Sequence, residues 1–171
     1  LLAISGTLSA HHMINLMVDL CAIVHASHER GVVPADLRPE SITIVQLRGP
    51  DGWHQQLKLA DDTTGGHPAY MSPEEIRDEM RDVRSNIYSC GVLLYEMATG
   101  RLPFEGDPNQ IAEQHLSAAV PMPSNYTPDI TEDLEELILQ LLEKEPTNRL
   151  QNIHALGNVL RAMSDDVSSY H

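Results

Sequence analysis

Between residues 10 and 30, apolar side chains fall at Met13, Met17, Leu20 or Cys21, and Val24, the spacing of one helical face. Ser9 stands where a hydroxyl can cap the first turn, and Gly31 stops the pattern. The period then changes. Residues 41–47 and 53–60 are β-rich runs, and Arg48-Gly49-Pro50-Asp51-Gly52 between them predicts a hairpin turn. Residues 61–72 are polar and glycine-rich and predict a loop, after which Pro73 can open a short helix through Met80. Residues 84–98 form the most apolar stretch. Ile87, Cys90, Gly91, Val92, Leu93, Leu94 and Met97 leave little polar face, which predicts a helix buried nearly all round.

Asp107-Pro108 predicts the start of another short helix ending near Ser117, and the proline-rich residues 120–128 an irregular connection. Thr131 is placed to cap a helix with its stripe at Leu134, Leu137, Ile138, Leu141 and Leu142. A last helix shows one at Ile153, Leu156, Leu160 and Met163. Residues 164–171 read as a frayed tail. The pattern as a whole predicts one mainly α domain with a small β-hairpin.

Composition narrows the partners. With 171 residues, 42% of them hydrophobic, the chain can build one ordinary core. A net charge of −14 disfavours nucleic acid and anionic membranes, which select positive patches. Cys21 and Cys90 lie in apolar stretches without metal-ligand spacing, which predicts buried free thiols in the cytoplasm or another reducing compartment. No apolar run reaches the roughly 18 residues of a membrane span, since Asp19 interrupts the best candidate, residues 14–24. The chain opens on Leu1-Leu2 rather than Met, so a fragment or processed product is expected.

Several segments carry a more specific signal. Ser27-His28-Glu29-Arg30-Gly31 precedes Pro34-Ala35-Asp36-Leu37-Arg38-Pro39-Glu40-Ser41, and Leu57-Lys58-Leu59-Ala60-Asp61 follows. Pro68-Ala69-Tyr70-Met71-Ser72-Pro73-Glu74-Glu75-Ile76 comes next. Residues 84–97, Thr99-Gly100-Arg101-Leu102-Pro103-Phe104 and Glu145-Pro146-Thr147-Asn148-Arg149-Leu150 complete the set. In this order they resemble the C-terminal lobe of a protein kinase, over about residues 6–163, in wording closest to bacterial Ser/Thr kinases of the eukaryotic-like type. The first pair resembles the helix end and the H-R-D-L-K-P-E-N catalytic loop. Residues 57–61 resemble the strand into D-F-G, Ser72-Pro73-Glu74 stands for A-P-E, and Glu145 to Leu150 resembles the loop before the last helix. The resemblance implies a protein-kinase-like C-lobe at residues 1–163, a tail at 164–171, and no N-terminal lobe in this chain. It also implies a buried bidentate ion pair between Glu74 and Arg149.

The same resemblance marks departures. His has become Pro34, Arg has become Ala35, Lys has become Arg38 and the metal-binding Asn has become Ser41. Asp61 is followed by Asp62-Thr63 rather than Phe-Gly, which predicts that Asp62 turns to solvent and the metal loop loses its geometry. Only residues 62–72 separate Asp61 from Pro73, about half the usual activation segment, with Thr63 and Thr64 as minor phosphosite candidates. The Asp of the buried helix, which accepts hydrogen bonds from the catalytic loop, is Asn86, and Pro34 removes one of the loop's amides. With no N-lobe, there is no glycine-rich phosphate loop and no strand lysine, and Gly65-Gly66 is a chain turn rather than a phosphate cradle.

These departures predict a non-enzymatic pseudokinase. Asp36, Arg38 and Ser41 become vestigial catalytic residues, Asp61 a vestigial metal ligand, and Glu74, Arg149 and Asn86 structural ones. No cofactor is expected. Its role would be a scaffold binding a protein partner or another domain of the same polypeptide, through an apolar upper face around Met13, the hairpin and the Asp36 loop. Two alternatives stand beside it: the C-lobe of an active Ser/Thr kinase whose N-lobe lies outside this chain, and a nucleotide-binding sensor without turnover. The remaining candidates favour plain roles. His28 is expected to pack and hydrogen-bond rather than join His25, His11 and His12 at a metal. Trp53 is expected to cover the lobe, and Glu132, Asp133, Glu135 and Glu136 to form a solvated helix face.

Overall fold

A computed structural model describes residues 9–50, 52–60 and 66–168, with the side chains of residues 53, 54 and 166–168 excepted. Asp61, Asp62, Thr63, Thr64 and Gly65, the Trp53 side chain and the end of the tail lie outside the described residues.

Helix α1 (Ala10–Glu29) starts where the Ser9 hydroxyl accepts the His12 amide, and it closes before Gly31, whose φ of +74° is costly for any other residue. Strands β1 (Ile42–Gly49) and β2 (Gly52–Leu59) pair antiparallel from Ile42 opposite Leu59 to Gly49 opposite Gly52. The ladder thus absorbs Arg48, Gly49 and Gly52, which the sequence assigns to the turn. Helix α2 (Pro73–Ile76) is a single turn rather than a helix through Met80. Arg77 caps it and Asp78 enters the left-handed region at φ 58°, which ends helical hydrogen bonding.

Helix α3 (Val83–Thr99) is the axis of the lobe, with every residue from 85 to 95 buried. Asp82 caps its start and Gly100, at φ +74°, its end. Helices α4 (Pro108–Ser117), α5 (Glu132–Leu141) and α6 (Ile153–Ser168) surround it. At Gly91 a Cβ would stand 2.8 Å from Leu141 Cβ, so only glycine lets α5 lie this close to α3. Leu134, Leu137, Ile138 and Leu141 are buried as the stripe predicts. Thr131 occupies the cap position of α5 without a side-chain cap hydrogen bond. Helix α6 runs past Met163 to Ser168, and buried Ser164 bonds Asn15 and His11 of α1. Ser164, Asp165 and Asp166 follow Met163 in the sequence, so the stripe thins there, with Val167 alone at its spacing.

The mainly α lobe with its hairpin is the predicted fold. Met13 corrects one detail: it is buried in the lobe's own core and cannot belong to an exposed apolar face. Cys21 and Cys90 are buried free thiols, and burial pushes the Cys21 thiol up to about 12. Among the described residues, no helix is long and apolar enough to cross a membrane.

Candidate active site

The loop carrying Asp36 hangs between the end of α1 and a 3-10 turn at Pro39–Ser41 that leads into β1. Asp36 is buried, and its Oδ2 lies 2.7 Å from Arg38 Nε in an ion pair. The Arg38 side chain keeps 29% of its exposure, so the pair joins a buried carboxylate to a cation at the protein's edge. Ser41 is buried beneath them. Its hydroxyl accepts the Arg38 amide at 3.2 Å and has two carbonyls in donating range, Asp36 at 2.9 Å and Arg38 at 2.8 Å. The backbone carbonyl of Ser41 accepts the Ala60 amide, which ties the end of β2 to the loop.

From below, Asn86 holds the loop. Its Nδ2 donates to the Pro34 carbonyl at 2.8 Å, and its Oδ1 faces His28 Nε2 at 2.9 Å. A carbonyl can only accept, so the amide orientation is fixed and His28 Nε2 must carry the proton. Pro34 has no amide to offer a carboxylate, and Asn86 supplies the donor that a carboxylate lacks. The two substitutions answer each other. On the outer side Arg81 donates to the Val33 carbonyl at 3.3 Å and lies 3.6 Å from Glu75, joining the loop to α2.

The far wall of the site is residues 66–76. Ser72 and Glu75 form a reciprocal capping box, with the Ser72 amide and hydroxyl on Glu75 Oε2 at 2.9 and 2.8 Å. Glu74 and Arg149 meet as the resemblance implies, through Nη1–Oε1 at 2.8 Å and Nη2–Oε2 at 2.9 Å. Burial alone would raise the Glu74 pKa, but the hydrogen bonds and charge of Arg149 outweigh it and hold the carboxyl below its usual value. Ser85 also donates to Glu74, and Arg149 spends its other donors on the carbonyls of Glu143, Arg84 and Lys144. Tyr70 donates to Glu96 at 2.7 Å. Burial, then the Glu96 carboxylate, pushes that phenol upward, so it stays protonated.

Sequence reasoning overlooked Arg81, the Tyr70–Glu96 bond and the loop-binding role of the Ser41 hydroxyl. The Ser72–Glu75 box was legible as S-x-x-E, whereas Arg81 carries no pattern. The other candidates fall where plain chemistry puts them. His28 is committed to Asn86, His25 packs its ring 5.4 Å from that of His154, and His11 bonds Asn15 and Ser164. Among the described residues no three His, Cys, Asp or Glu converge to hold a metal. Glu132, Asp133 and Glu136 are exposed, while Glu135 fastens the Ser124 amide at 2.7 Å.

The kinase pattern assigns its magnesium ions to the D-F-G Asp and the catalytic-loop Asn. Asp61 lies outside the described residues. Ser41 does not fit the second role, because its hydroxyl is already taken up by the loop's own amide and carbonyls.

Residues 1–160 match the model of the protein kinase domain. The chain is 33% identical to the serine/threonine-protein kinase PknB of Mycolicibacterium smegmatis over 157 residues, covering 85% of this chain and 25% of that protein. It is 33% identical to the serine/threonine-protein kinase PknL of Mycobacterium tuberculosis over 179 residues, covering 95% of this chain and 43% of that protein. With the serine/threonine-protein kinase Pkn1 of Myxococcus xanthus it shares 34% over 169 residues, 90% of this chain and 24% of that protein. The chain therefore spans less than half the length of these relatives.

These matches overturn the expectation of a non-enzymatic module, because both the domain and its relatives are kinases. The physical reason for the error lies in the loop. The departures at Pro34, Arg38 and Ser41 read as lost contacts, yet Asn86, expected to be structural, holds the Pro34 carbonyl, Ser41 ties the loop to itself and Arg38 pairs with Asp36.

Proposed function

Since the chain belongs to the protein kinase domain family, we propose that it is the C-terminal lobe of a Ser/Thr protein kinase in which Asp36 serves as catalytic base. The N-terminal, nucleotide-holding lobe would come from sequence outside this chain. One observation carries the reading: Asp36 is buried at the mouth of the braced loop with its carboxylate 2.7 Å from Arg38. A base must be held in place, and the ion pair with Arg38 holds the Asp36 carboxylate against the loop.

In the step this supports, a serine or threonine hydroxyl loses its proton to Asp36 as its oxygen bonds to the terminal phosphorus of a nucleoside triphosphate. The bond to the diphosphate breaks and its electron pair leaves with the diphosphate. Arg38, half in solvent and half on Asp36, offsets negative charge at the point of transfer. The chain's own residues bind, orient and take the proton.

The test is Asp36→Asn in the full-length polypeptide. It keeps the side chain's shape and removes its basicity, so transfer to a peptide hydroxyl should fall by about a hundredfold or more, with folding retained. Equal activity in the variant would sink the assignment.

A further inference from the structure

His115 lies on α4, outside the site described so far, and has no exposed surface. Its Nε2 stands 3.1 Å from the Ala69 carbonyl and its Nδ1 2.7 Å from the Tyr88 hydroxyl. The carbonyl can only accept, so Nε2 bears the proton and Nδ1 accepts from Tyr88. Phe104 meets the ring edge-on at 4.9 Å, and Arg149 lies over the Tyr88 ring at 4.9 Å. One imidazole therefore joins the Glu74–Arg149 anchor on one side to the backbone of residues 67–71 on the other.

That segment is fastened from within at successive positions. His115 takes the Ala69 carbonyl, Ser89 donates to the Tyr70 carbonyl at 2.7 Å, and Glu96 takes the Tyr70 hydroxyl. With Ala69 and Tyr70 drawn inward, His67 is left exposed and Pro68 half-buried on the outer side. At its upstream end the segment passes the catalytic loop: a Cβ on Gly66 would lie 3.5 Å from the Ala35 carbonyl, one residue from Asp36.

We propose that His115 is a positioning residue for the protein substrate: by holding the Ala69 carbonyl it sets the backbone of residues 67–71 at a fixed distance from Asp36, and that backbone seats the peptide bearing the acceptor hydroxyl. This rests on the kinase reading above. The imidazole is suited to the task because both its nitrogens are committed, so the ring cannot turn without losing a buried hydrogen bond. Burial first, and then the Lys144 cation, lower its pKa to about 4, which keeps it neutral near pH 7.

The experiment compares the full-length polypeptide with His115→Phe, which keeps a buried ring but removes both hydrogen bonds, and His115→Gln, whose amide can still reach the Ala69 carbonyl. Steady-state transfer to a serine peptide and amide hydrogen exchange of residues 66–72 are both read. The inference expects His115→Phe to raise the peptide KM by about tenfold with the ATP KM unchanged, to speed exchange at 66–72, and to be largely rescued in His115→Gln. An unchanged peptide KM, or a parallel rise in both KM values, overturns it. Wild-type protein that transfers no phosphate would overturn the kinase reading and the substrate role with it. Unaltered exchange in a folded His115→Phe would overturn the clamp alone.

Discussion

The side-chain amide of Asn86 donates to the carbonyl of Pro34, 2.8 Å away and 52 positions earlier in the chain. A carboxylate at position 86 would set two acceptors against each other at that distance, on a residue that is 3% exposed. Asn86→Asp, although it writes the residue the kinase pattern has, should therefore lower stability by about 2 kcal/mol and loosen the Asp36 loop. Chemical denaturation of the two proteins measures it. A variant as stable as the parent would mean that His28 alone satisfies the new carboxylate.

Arg149 places all its donors on oxygen atoms and keeps its side chain fully buried. Arg149→Lys cannot reproduce the two-pronged contact with Glu74, and it strands carbonyls of Glu143, Lys144 and Arg84. The loss should be about 3–5 kcal/mol, which for a domain of this size lowers the melting temperature by about 10 °C. A shift of only a degree or two would show that the anchor is dispensable.

Ser41→Ala removes the hydroxyl that bridges the Arg38 amide and the Asp36 and Arg38 carbonyls. Stability should fall by about 1 kcal/mol, and transfer should fall several-fold because Asp36 and Arg38 are no longer held in register. If Ser41 instead served a metal, the variant would show a raised magnesium requirement with unaltered stability.

His115 gives a pH signature. Its folded pKa is about 4, below the ordinary value near 6.5. Between those two values the unfolded chain binds a proton that the folded chain refuses, so stability falls as pH drops from about 6.5 toward 4, by up to about 3 kcal/mol. Denaturation midpoints measured across this window should fall more gently in His115→Gln. Parallel curves would show that other groups govern the acid response.

The hydrophobic stripes told most of the fold because helix faces and burial obey the same period. Leu134, Leu137, Ile138 and Leu141 are buried where the stripe puts them, and α3 is enclosed where its sequence has no polar face. Boundaries were less legible where polar chemistry decides them. Asp78 halts α2 by a backbone angle, and beyond Met163 only Val167 stands at stripe spacing, behind Ser164, Asp165 and Asp166. In the site, Glu74–Arg149 was readable because both partners stand in recognisable motifs. The Pro34–Asn86 match was not, since a list of lost letters treats each alone, while compensation shows only when donor and acceptor are seen face to face. His115 was silent for a related reason: its partners are a carbonyl and a phenol far along the chain.

The central claim is that Asp36 works as a base on this lobe. The most direct measurement is transfer of labelled terminal phosphate from ATP to a serine or threonine peptide by the full-length polypeptide, with Asp36→Asn alongside and both proteins shown to be folded by melting. The account predicts transfer by the parent and a drop of about a hundredfold or more in the variant. Transfer that survives Asp36→Asn unchanged, or a folded parent that transfers nothing, would contradict it.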